Sequence, residues 1–157
     1  MMKAIRLILG IMVGLVAITL VAETIEFVTV KLVSGESFAF LSSNQETYFA
    51  VRNQIGILLF KMVYNFVAAV VAGYLLSWVA RQWAGIGVLV LTALQTASLI
   101  WAGFFSELAA TGPMWMWIGL IVLTPLGLYF GYRFKAGSGD VMVSAEPITS
   151  PLSQTGA

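Results

Sequence analysis

Two carboxylates, Glu23 and Glu26, interrupt one apolar run, Val21-Ala-Glu-Thr-Ile-Glu-Phe27, and one ammonium, Lys61, interrupts another, Leu59-Phe-Lys-Met-Val-Tyr-Asn65. Ionisable groups set in hydrocarbon either pair, bind something or are strongly destabilising. A carboxylate left unpaired there can exchange a proton or hold a cation. A carboxylate facing an ammonium can instead lock two helices in register. Asn65, one turn after Lys61, and Gln95 in a third apolar run add amides, and Glu107 closes that third run. Glu23, Lys61, Asn65, Gln95, Glu26 and Glu107 are therefore the candidate ligand- or ion-binding residues.

Other chemistry is narrowed by what the chain lacks. It has no Cys and no His, which removes thiolate nucleophiles, disulfides, His general bases and His- or Cys-ligated metals. No nucleophile–base spacing and no phosphate-cradling Gly loop is present. The expectation is no enzyme, no catalytic residue, no metal and no cofactor.

The elements that carry these residues are long and apolar. Of 157 residues, 60% are hydrophobic and 10% charged, whereas soluble domains average about 45–50% and about 25%. Only a lipid bilayer can solvate that excess, so the bilayer is the first expected partner. A net charge of +1 gives no basic surface for nucleic acid. The expected fold is all-α: a four-helix transmembrane bundle with antiparallel neighbours. Its spans cover about 5–27, 55–80, 84–106 and 113–134, each long enough to cross the hydrocarbon, which takes about 20 residues.

The first span has Leu20 where signal-peptide cleavage before Glu23 would want a small residue, so it is read as uncleaved. An outer loop covers about 34–53. In it Ser43-Asn-Gln-Glu46 has the form of a capping box, which would start a helix running into the second span. Residues 136–157, rich in Gly, Ser, Pro and Thr, read as a disordered tail. Pro125 should kink the last helix. Trp115 and Trp117 at one end, and Trp78, Trp83, Tyr129 and Tyr132 at the other, fit two aromatic belts. Lys3, Arg6, Arg81, Arg133 and Lys135 fall on one side, against Lys31 and Arg52 on the other. The positive-inside rule then puts both termini in the cytoplasm of a bacterial-type inner membrane.

At about 1.5 Å per residue, Glu23, Glu26 and Lys61 all lie about 26–30 Å from the cytoplasmic basic residues, near the outer edge of the hydrocarbon. In a straight helix Thr19, Glu23 and Glu26 share a stripe roughly opposite Gly10 and Gly14. Gln54, Lys61, Asn65, Ala68 and Ala72 share one on the second helix. Gly85, Thr92, Gln95, Thr96, Gly103 and Ser106 share one on the third, with Glu107 at its border. These stripes predict a bundle that is polar in its outer half, with a floor near Gln95. Glu26 and Lys31 are read as side chains that snorkel to the headgroups. Glu23 and Lys61 are read as facing each other, as a structural pair or as a working site.

Two resemblances accompany this reading. Glu23 late in the first helix, a longish first outer loop and Pro113-Met-Trp115 at the start of the last helix resemble a group of uncharacterised bacterial four-helix integral membrane proteins. A His often follows that Glu by one turn in such proteins; the position here is Phe27. Locally, Ala22-Glu-Thr-Ile25 resembles the first-helix segment of small multidrug resistance transporters, which implies a transport role for Glu23 alone. That family is shorter, with short loops and its Glu near mid-membrane.

The expected function is an accessory, interaction or structural membrane subunit, with another membrane protein or a second copy as partner. The alternative is a small proton- or cation-coupled transporter using the outer polar seam around Glu23 and Lys61. A membrane enzyme acting on lipid or quinone ranks last, because acid–base candidates are so few.

Overall fold

A computed structural model describes residues 2–143. Among them there is no strand: the chain is helical throughout, in the order α1 (Met2–Ser34), α2 (Phe38–Ser43), α3 (Gln45–Arg52), α4 (Ile55–Ala80), α5 (Ala84–Phe104) and α6 (Met114–Val143). Short 3-10 turns, Arg81–Trp83 and Glu107–Thr111, join α4 to α5 and α5 to α6. Three stretches are long and apolar enough to cross a membrane: Ala4–Ser34, Ile55–Phe104 and Met114–Gly137. The middle one is the α4–α5 pair. Large apolar side chains such as Leu9, Val63, Leu89 and Val122 are exposed on all four long helices, as a protein solvated by lipid requires. These features mark a membrane protein.

The long helices alternate in direction. Gly87 of α5 packs on Leu76 of α4, and Leu91 lies beside the Gly14–Ala72 contact, so α5 runs back along α4. Gly10 lies against Ala80 and Leu76, and Gly14 against Ala72, which sets α1 antiparallel to α4 as well. On α6, Gly119 meets Met62, Gly127 meets Phe66 and Ala69, and Gly131 meets Val70 and Tyr74; α4 and α6 therefore run in parallel. Leu7 reaches Gly87 and Tyr132 reaches Gly85, so the start of α1 and this part of α6 share one end of the bundle with the Arg81 turn.

Small residues make these contacts possible. Between helices in lipid the attraction is mostly van der Waals contact, which grows as backbones approach. Ala68, Ala69, Ala72 and Leu76 on α4 are fully buried, as are Leu91 and Leu128 opposite them. The Gly10/Gly14 face of α1 thus makes an internal contact.

Several elements differ from the sequence reading. α1 continues seven residues past Phe27 and ends at Gly35, whose φ of 72° is the left-handed cap that glycine adopts without strain. The stretch expected to be a loop, about 34–53, is mostly helix. Ser37 caps α2 by accepting from the Phe40 N–H, and Asn44, rather than Ser43, caps α3 by accepting from the Thr47 N–H. Ser43 instead donates to the carbonyls of Ala39 and Phe40 at the end of α2. α3 does not run into the next long helix, because Gln54 is extended (φ −62°, ψ 137°) and breaks the chain before α4. α6 passes through Pro125 and on to Val143, so residues 136–143 of the expected tail are helical, while 144–157 lie outside the described residues. Trp117 is no belt residue: it is buried with its ring against Gly103, where a side chain would not fit. Trp78 and Tyr129 are well exposed.

Candidate functional site

The charged centre of the molecule is Glu26, not Glu23. Glu26 is 6% exposed, and both its oxygens are occupied by side chains from two other helices, α3 and α4. Oε1 accepts from the Tyr48 hydroxyl at 3.1 Å and lies 2.9 Å from Arg52 Nε. Oε2 accepts from the Tyr64 hydroxyl at 2.8 Å and pairs with Lys61 Nζ. The Arg52 N–H is not aligned with the oxygen, so that contact is an ion pair without a hydrogen bond. Tyr48 and Arg52 stand one turn apart on α3, and Lys61 and Tyr64 one turn apart on α4, so each helix offers a phenol and a cation on one face.

The cluster joins the cap formed by α2 and α3 to the long helices. Phe27 of α1 stacks on Phe38 of α2 with centroids 5.0 Å apart and lies 6.1 Å from Tyr48. Lys31 sits 4.1 Å over the Phe38 ring, a cation–π contact rather than a bare headgroup anchor. Burial, then the adjacent Glu26 carboxylate, with a smaller push from Glu23, raises the Tyr48 phenol well above its ordinary value. It stays a neutral donor to the carboxylate at physiological pH.

α1 reaches this arrangement by crossing its neighbours instead of lying straight along them. Its buried positions are Gly10, Gly14, Ile18, Glu26 and Val30, all on one series of fours. Twelve residues separate Gly14 from Glu26, so the buried line moves about 120° round the helix between them. A straight-helix projection puts the two residues on different faces. The ridge of every fourth residue keeps both inside.

Glu23 lies about 60° away on the same helix and is exposed. Its carboxylate adds to the upward push on the Tyr48 phenol. It lines a second, smaller feature, a cavity of about 140 Å³ bounded by Thr19, Glu23, Asn65, Gln95 and Thr124, with Ile18, Ala22 and Leu99. The Thr19 hydroxyl donates to the Leu15 carbonyl and the Asn65 amide to the Lys61 carbonyl. The Glu23 carboxylate only accepts, while the Gln95 amide and the Thr124 hydroxyl both donate and accept; the carboxylate's charge makes the cavity suit water or a small cation rather than an anion.

Of the six residues proposed from sequence, Lys61 and Glu26 meet in the cluster, and Glu23, Asn65 and Gln95 meet in the cavity. Glu107 is exposed in its 3-10 turn and joins neither. The expected Glu23–Lys61 pair is replaced by Glu26–Lys61, and Glu26 does not snorkel. Tyr48, Arg52 and Tyr64 were not anticipated. The signal available was their spacing, Tyr48 to Arg52 by four and Lys61 to Tyr64 by three, which places each pair on one helix face. The chain matches no known protein family, no curated protein and no solved structure.

Proposed function

We propose that this chain is a non-catalytic subunit of a bacterial-type inner membrane. In this reading α1, α4, α5 and α6 all span the bilayer, both termini are cytoplasmic, and α2 and α3 form a fixed outer cap for contact with a partner membrane protein. The observation that carries it is the closure of the Glu26 cluster. The most buried carboxylate among the described residues is spent on holding the cap to α1 and α4, leaving no position on it for a substrate. A rigid outer cap above an apolar bundle suits a docking or structural role.

Native mass spectrometry of the gently extracted protein tests this. A second protein at fixed stoichiometry is the expected result, and the chain arriving alone, as monomer or homodimer, would argue against it. The topology is tested by impermeant thiol labelling of intact cells. Gly35→Cys is expected to react and Gln82→Cys, in the α4–α5 turn, is not; the reverse pattern would invert the orientation.

The polar cavity beside the Glu23 carboxylate favours one rival, a small proton- or cation-coupled carrier. Flux in vesicles that is lost in Glu23→Gln while the protein stays folded would move the assignment to that class.

A further inference from the structure

At the end of the bundle opposite the Glu26 cluster lies a cavity of about 610 Å³, where α4 turns into α5 beside residues 132–136 of α6. Arg81, Gln82, Tyr132 and Lys135 bring two positive charges, an amide and a phenol to it, and Gly85 leaves its wall open towards the Tyr132 hydroxyl. No described carboxylate lines it, and neither Arg81 nor Lys135 makes an ion pair among the described residues. Trp78, well exposed at the same level, is the kind of side chain that sits among headgroups.

Arg81 also carries backbone strain. Its φ of 51° with ψ of −115° makes it the only described non-glycine residue at positive φ. Glycine adopts such a conformation freely, and an Arg there is disfavoured. A strained residue in a pocket wall points to a use for its side chain. A guanidinium and an ammonium lining one cavity with no carboxylate among its described lining residues suit a phosphate group, which accepts from both.

We propose that this cavity binds a phosphate-bearing anion at the membrane face, with Arg81 and Lys135 as its charged ligands and Gln82 and Tyr132 as further donors. A phospholipid headgroup and a soluble phosphate share that chemistry, and the test separates them. The full chain is placed in phosphatidylcholine nanodiscs containing a minority of phosphatidylglycerol, and retained lipid is counted by native mass spectrometry. Inorganic phosphate binding is measured in parallel by equilibrium dialysis.

Selective retention of phosphatidylglycerol is expected, falling about tenfold when both charges are removed in Arg81→Gln/Lys135→Gln. Arg133→Gln, which removes one positive charge from an exposed residue outside the cavity, is expected to leave it unchanged. Arg81→Gly separates binding from folding, because it relieves the strain: the unfolding temperature should hold or rise while retention falls. Binding of inorganic phosphate with the same dependence on Arg81, and no lipid preference, would assign a soluble source. Equal retention and equal phosphate binding in the wild type, Arg81→Gly and the double variant would overturn the proposal.

Discussion

Replacing Glu26 by Ala is expected to destabilise the protein by about 3–5 kcal/mol, the range for removing one member of a buried ion pair. The cause is what remains: Lys61 and Arg52 stay inside with no carboxylate between them, and the Tyr48 and Tyr64 hydroxyls lose their acceptor. The cap should loosen with it, because Tyr48 and Arg52 hold α3 through that one side chain. Glu23→Ala removes the same charge from the same helix three residues earlier, at an exposed position, and is expected to change stability by less than about 0.5 kcal/mol. Denaturant or thermal unfolding in detergent compares them directly. Equal losses for the two variants would sink the assignment of Glu26 as the centre of the cluster. A triple replacement, Glu26→Leu with Lys61→Met and Arg52→Met, should recover much of the loss, since the cost of an unpaired buried charge vanishes when all three charges go.

Gly131→Ala is the second large effect. A methyl group there would run into the backbone of α4 at the Val70 carbonyl and the Tyr74 amide, neither of which can rotate away as a side chain would. α4 and α6 must separate to admit it. The expected cost is about 3 kcal/mol, the upper part of the range for overpacking, because backbone rather than side chain has to move. Gly56→Ala supplies the contrast: nothing lies within 4 Å of the added methyl, and α4 should gain about 0.5–1 kcal/mol from the better helix former. Both are read from the same unfolding experiment. If Gly131→Ala is as stable as Gly56→Ala, the close approach of α4 and α6 is not what holds the bundle.

These two predictions sit at different distances from the sequence. Gly127 and Gly131, like Gly10 and Gly14, recur at a spacing of four, which gives an apolar helix a small face that lets backbones approach closely. Which helix each glycine meets was not legible. The charged cluster was half legible: Glu26 and Lys61 were both recognised as out of place in apolar runs, at matching depth. Which carboxylate meets Lys61 is not readable from spacing, because Glu23 and Glu26 lie about 60° apart, within the width of a single face.

Composition by itself determined the solvent: with so few charges and so many apolar side chains, long helices exposing Leu and Val to lipid are the form this chain takes. The absence of His and Cys determined which ligands and nucleophiles it cannot supply. The tertiary structure alone decided that α1 crosses its neighbours along a ridge of fours, carrying both Gly14 and Glu26 inside. It also decided that α3 folds back to bring Tyr48 and Arg52 onto Glu26, and that Arg81 turns the chain at positive φ. The physical reason is common to all three. Burial and helix periodicity are written into each segment separately, whereas crossing directions and turn conformations follow from how segments fit against one another.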